Sequence, residues 1–145
     1  MTFRNLVCMV ALLGVACASS VSAAEYGGGA EARVVLRSTT TSNGARIAYP
    51  VTDRPEVTAM TVTLAPGAET GWHSHPVPVY AWMLEGELTV EVEGGKQYHF
   101  KAGDPIIEVV NTRHNGRNTG KVPAKLAVFY TGIEGTPSVV RMPAP

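Results

Sequence analysis

The sequence predicts an all-β sandwich or barrel, with a jelly roll as the best fit. Three observations carry this expectation. Short segments alternate apolar and polar residues with period two, as in Val57-Thr-Ala-Met-Thr-Val-Thr-Leu64 and Glu87-Leu-Thr-Val-Glu-Val-Glu93. Glycine, proline and asparagine separate these segments at regular intervals. No stretch sustains a helical period, and no internal repeat is present.

Taken in order, the chain opens with a basic residue, Arg4, and a continuous apolar run from Leu6 to Ala18. The run is too short to cross a bilayer comfortably. Small residues follow, and Val21-Ser-Ala23 or Ser22-Ala-Ala24 fits a small-x-Ala cleavage site. Residues 1–24 are therefore expected to be a cleaved secretory signal peptide. An uncleaved anchor would want a longer run, and a lipoprotein site at Cys17 would want Leu where Gly14 stands. Cleavage would remove Cys8 and Cys17, the two cysteines of the chain. The mature protein would have no disulfide, and any metal site in it would use nitrogen and oxygen ligands. Periplasmic or secreted localisation follows from the same reading.

Residues 25–32, with Gly27-Gly-Gly29, read as a flexible leader, residues 33–134 as one barrel and residues 135–145 as a proline-spotted tail, extended or frayed. Strands are expected over Arg33–Thr40 and Ala45–Tyr49, joined by a tight turn at Asn43-Gly44. Val57–Leu64 is the next strand, and Pro66-Gly67 turns the chain. Pro76 and Pro78 interrupt pairing before a strand at Val79–Leu84. Gly86 marks a turn, and Gly94-Gly95 joins Glu87–Glu93 to Lys96–Phe100 as a hairpin. Ala102-Gly103-Asp104 turns again, Ile106–Val110 is a short strand, and Ala124–Tyr130 is the last.

Composition bounds the function. The 145 residues suggest one domain, and the net charge is zero. There is no basic patch to bind nucleic acid and no charge run to bind a membrane surface once the signal is gone. Losing Arg4 would leave 11 basic against 12 acidic residues.

Three of the four histidines fall in two segments, His73-Ser-His75 and His114. On a strand, residues two apart share a face, so His73 and His75 would project together, and His114 is the candidate third ligand. A His-x-His pair also occurs on surface strands without metal, and a histidine before Asn-Gly also occurs as a solvated loop residue.

The surrounding pattern resembles the cupin superfamily. Gly67-x5-His73-x-His75-x3-Val79-x6-Gly86 looks like its first motif. Gly103-Asp104, Val109, Asn111, His114 and Asn118 look like its second. The family has Glu where Val79 stands, Pro where Val109 stands and Gly where Asn111 stands. The resemblance implies a small double-stranded β-helix barrel, often dimeric, holding one divalent transition metal (Fe, Mn, Ni or Zn) on His73, His75 and His114. Val79 cannot ligate, so the family's carboxylate is missing. Glu108, six residues before His114, is the best-placed substitute, as ligand or as support for a ligand; its alternative is a solvated rim residue. Glu69 is a weaker candidate. Asn111 for Gly is mild, because Asn tolerates left-handed backbone. Thr70, Asn115 and Asn118 are near enough in sequence to support the imidazoles, and spacing does not choose among them.

The implied register turns Val79, Ala81 and Met83 inward as an apolar pocket wall. It turns Tyr80 and Trp82 outward, where a homodimer interface could use them. His99 is expected at the surface. Two functions remain open: a metal-dependent, dioxygenase-like enzyme acting on a small organic molecule, and a metal or small-ligand binder without turnover.

Overall fold

The structure, a computed structural model, describes residues 29–145; the expected signal peptide lies outside them. Among the described residues there are nine strands: β1 Pro55–Leu64, β2 His73–Ser74, β3 Val79–Glu85, β4 Glu87–Val92, β5 Lys96–Lys101, β6 Pro105–Ile107, β7 His114–Arg117, β8 Ala124–Ile133 and β9 Val140–Arg141. They form two antiparallel sheets, ordered β1-β8-β3-β6 and β5-β4-β7-β2-β9. Among the described residues, no helix is long and apolar enough to cross a membrane.

Alternation sets which side chains face inward. Along β3, Val79, Ala81 and Met83 are buried while Tyr80 and Trp82 are only partly so. The matching inward set on β8 is Ala124, Leu126, Val128 and Tyr130. Val79 and Met83 are wholly inaccessible, and burying each contributes about 1.5–3 kcal/mol relative to exposure. Leu64, Leu88 and Ile106 complete the layer between the sheets.

Turns fall where glycine allows them. Gly94 and Gly95 both have positive φ, 93° and 83°, in the three-residue loop that joins β4 to β5. Gly86 has φ 71°, and a Cβ there would lie 2.5 Å from the Pro123 carbonyl oxygen, so no other residue fits.

Several expectations need correction. Arg33–Thr40 and Ala45–Tyr49 are not strands; a single bridge, Thr40 to Arg46, joins them. The reason is lack of a partner: one backbone bond and one side-chain bond from Ser42 to the Ile107 carbonyl oxygen fasten this segment to the end of β6, and Val35 and Leu36 remain exposed. Asn43-Gly44 does turn the chain, with Gly44 at φ 89°, but inside a loop between Thr40 and Arg46 rather than a two-residue hairpin. The strand expected over Ile106–Val110 ends at Ile107. His114 stands on a strand of its own, β7, not in a loop. The tail is extended, and it is tied down rather than frayed: β9 pairs with β2, and Met142 N–H donates to the Trp72 carbonyl oxygen.

Candidate metal centre

His73 and His114 sit directly opposite each other on neighbouring strands, so both side chains leave the same face of the sheet. His75 follows His73 by two residues and points the same way. The three ring centroids are 4.3–4.9 Å apart. Their ligand atoms lie within 4.8 Å of one another, the one such cluster among the described residues. His75 and His114 are almost wholly buried.

Each ring is fixed through its other nitrogen. His73 Nδ1 lies 2.7 Å from the Gly71 carbonyl oxygen, His75 Nδ1 2.9 Å from that of Ser138, and His114 Nδ1 2.9 Å from that of Thr112. A carbonyl only accepts, so in the neutral ring each Nδ1 carries the proton and each Nε2 offers its lone pair to the centre. Two of these acceptors are two residues upstream of their histidine. The third comes from the tail, 63 positions along the chain. Thr70, Asn115 and Asn118 do not play this part. Asn115 and Thr70 bond each other, Asn115 also donates to Glu69, and Asn118 donates to the Leu64 and Val122 carbonyls. Glu69 itself is exposed, near Arg117.

Glu108 completes the cluster. Its Oε2 lies 3.3 Å from His75 Nε2 and 3.3 Å from His114 Nε2. The reason is register. Tyr80 pairs with Ile107, so the next pair is Val79 with Glu108, confirmed by the bond from Glu108 N–H to the Val79 carbonyl oxygen. Directly opposed residues share a face. The carboxylate missing at Val79 is therefore delivered from the adjacent strand, one step across the sheet. Unbroken alternation from Glu108 to His114 is not the mechanism. The chain leaves the first sheet after Ile107, turns at Asn111 with φ 51°, and enters the second at His114.

Protonation follows from this geometry. Burial and the two neighbouring histidines lower the His73 pKa to about 4, against the bond to Gly71. Burial also works against charge on His75, but its contact with the Glu108 carboxylate outweighs that and raises it above its ordinary value. Burial disfavours the Glu108 carboxylate, yet the close approach of the His114 and His75 rings holds its pKa well below the usual range. His114 Nε2 is buried and makes no well-aligned hydrogen bond. A ring nitrogen lone pair facing a carboxylate oxygen repels it unless a proton or a metal cation lies between. The 3.3 Å spacing is close to the roughly 3 Å that separates two donors sharing one ion at about 2.1 Å. The residues present fit a divalent metal.

A cavity of about 60 Å³ adjoins the centre, lined by the three histidines, Glu108, Tyr130 and apolar side chains such as Val62, Leu88 and Val128. Val79, Ala81 and Met83 point inward but do not line it; they are packed into the core instead, because the cavity opens against the flanking strands. Burial, with the charge of Glu108, pushes the Tyr130 hydroxyl up to about 12. His99 is on the outer face, 2.9 Å from Thr89 Oγ1. Tyr80 and Trp82 are on the outer face of the other sheet, where the Tyr80 hydroxyl donates to that of Tyr49.

Residues 60–130 match the family model of the cupin domain. The cupin barrel expected from the two motifs is the fold observed. A solved oxalate oxidase is 26% identical with a TM-score of 0.51, over 59% of this chain and 46% of that one. An uncharacterised conserved protein with a double-stranded β-helix domain, from Klebsiella pneumoniae, is 20% identical with a TM-score of 0.51, over 64% of this chain and 90% of that one, and shows the fold alone. Oryzines biosynthesis cluster protein J of Aspergillus oryzae is 35% identical over 75 residues, 52% of this chain. The chain spans 41% of that curated relative's length.

Proposed function

We propose that this chain is an exported, metal-dependent cupin enzyme, an oxygenase acting with dioxygen on a small organic molecule. The observation that carries the reading is the convergence of three imidazole Nε2 atoms and one carboxylate oxygen, with every imidazole anchored through Nδ1. His73, His75 and His114 would hold the metal, with Glu108 as the fourth donor. Bound there, a divalent ion supplies Lewis acidity, or activation of dioxygen if it is iron. Imidazole and carboxylate donors suit Fe, Mn, Ni and Zn alike, so geometry and supply choose among them.

The protein's own contributions are positional. The carbonyls of Gly71, Ser138 and Thr112 stop the rings from rotating. Glu108 offsets one positive charge in a pocket whose other walls are mostly apolar. Those walls exclude water, which strengthens every charge interaction inside. The likeness to an oxalate oxidase supports oxidative chemistry on a small substrate. Export rests on the order of Arg4, the apolar run from Leu6 and the small residues before Glu25.

A second reading, a binder without turnover, is favoured by one observation. Beyond the four donors, Tyr130 is the one titratable side chain lining the cavity among the described residues. Metal analysis and oxygen uptake separate the two readings. Purified protein should carry close to one metal per chain, and His73→Ala, His75→Ala and His114→Ala should each lose it while His99→Ala keeps it. Full metal content in all three variants overturns the site. Dioxygen consumption by the iron-loaded protein over phenols, diketones, thiols and small carboxylic acids supports the enzyme; no consumption over that panel favours the binder.

A further inference from the structure

Tyr130 stands on β8 in the same cross-strand row as Val79 and Glu108, two strands from the carboxylate. Its ring meets the His75 ring edge-on at a centroid distance of 5.5 Å. The residue is 6% exposed, and it lines the cavity beside the centre. The other polar groups of that cavity are committed. The three Nδ1 atoms donate to carbonyls, Glu108 faces His75 and His114, and Thr70 Oγ1 accepts from Gly116 N–H while lying within reach of Gly71 and Asn115. The Tyr130 hydroxyl makes no hydrogen bond to any described residue.

A phenol that lines a cavity and has no protein partner is free to donate to whatever occupies that cavity. That occupant has to fit the remaining surfaces. The cavity measures about 60 Å³, room for roughly four to six non-hydrogen atoms at about one probe sphere per atom. Away from the donor end its walls are aliphatic: Val62, Leu88, Val90, Leu126 and Val128. No lysine or arginine lines it. A divalent ion with one carboxylate and three neutral imidazoles leaves one positive charge, so a single negative charge balances the site and a second finds no partner.

We propose that the Tyr130 hydroxyl and the metal centre together grip the acidic head of a small monoanion with a short apolar body, and that Tyr130 selects such molecules over compact dianions. This rests on the reading of His73, His75, His114 and Glu108 as a metal site. The substrate class is a short-chain monocarboxylate or an acid of similar size, its tail against Leu126 and Val128 and its head at the Tyr130 end. The dianion oxalate, despite the likeness to an oxalate oxidase, fits this charge balance poorly.

The test uses the protein loaded with cobalt(II), whose visible spectrum reports changes at the metal. The probes are formate, acetate, propionate, hexanoate and oxalate. Affinity should rise from formate to propionate, fall at hexanoate, and be weaker for oxalate than for propionate. Tyr130→Phe removes only the hydroxyl; it should keep cobalt stoichiometry and melting temperature while raising the propionate Kd about tenfold or more, the usual effect of deleting a hydrogen bond to a charged group. Unchanged propionate affinity in Tyr130→Phe overturns the role of the hydroxyl. Oxalate binding more tightly than propionate in the native protein overturns the monoanion assignment without any variant. Native protein that takes up no cobalt overturns the metal reading itself, a different failure from either of these.

Discussion

Glu108→Gln is the sharpest perturbation the centre offers, because it removes a charge and keeps the shape. The carboxylate touches two imidazoles at 3.3 Å each, so its loss is felt twice. Metal affinity should fall about 10–100-fold, or roughly 1.4–2.7 kcal/mol, the size seen when a ligand's supporting partner is lost. A direct ligand lies at or beyond the upper end. Isothermal titration with zinc or cobalt measures it. The metal-free protein gives an independent reading. Burial alone would lower the His75 pKa, and contact with Glu108 is what raises it. In Glu108→Gln that pKa should drop from above 6.5 to below it, as followed by NMR titration of the ring. Native protein must expel the His75 proton to bind an ion, so its metal affinity should fall about tenfold per pH unit below that pKa. The variant should be flatter near neutral pH. Adding Val79→Glu to the variant should restore part of the affinity, since Val79 is fully buried on the same inner face and opposite Glu108. An unchanged isotherm together with an unmoved His75 pKa would refute the assignment of Glu108 to the centre.

Three further outcomes are expected. Truncation before Ser138 removes both β9 and the carbonyl that holds His75, so metal affinity should drop about 10–100-fold while the barrel still melts cooperatively; titration and calorimetry on the same sample test both. Metal-free protein should lose stability as pH falls from 6.5 to about 4.5, because His73 binds a proton in the unfolded chain there but not in the fold, where its pKa is about 4. His75, with its raised pKa, stays protonated in the fold over that window and alters the slope mainly at its upper end, and the lowered Glu108 pKa acts mainly below 4.5, so His73→Asn should flatten the slope seen in melting temperature over the lower part of the window. Intact-mass measurement of protein from the cell envelope or medium should find a chain beginning near Ala24 or Glu25; a cytoplasmic chain still carrying Met1 would contradict export.

The barrel was legible because its strands alternate. Val57–Leu64 and Glu87–Glu93 show period two, and these and Val79–Leu84 are each a strand within one or two residues of the expected ends. Short or weakly patterned pieces were not legible. β7 is His114-Asn-Gly-Arg117, which carries no apolar alternation and exists because β4 and β2 lie on either side of it. β9 has two residues and only β2 to hold it. Conversely, Arg33–Thr40 is rich in β-branched residues but finds no neighbouring strand, and propensity without a partner does not make a ladder.

For the candidate centre, the sequence alone pointed to three of the four proposed donors. With both cysteines in the expected signal segment, three histidines at cupin spacing and a valine at the carboxylate position, any metal site there was expected to be nitrogen-rich and short of one anion. Asn111 also stood out as the residue able to take the left-handed turn, and it does so at φ 51°. Only the tertiary structure decided where the anion comes from and what holds the rings. Glu108 reaches His75 because Val79 and Glu108 are opposed across β3 and the end of β6, a pairing between residues 29 positions apart that no local period encodes. Ser138 reaches His75 because the tail folds back along β2. Alternation is a property of one strand and can be read along it, whereas register between strands depends on how the two sheets close, and that is settled only when the whole core packs.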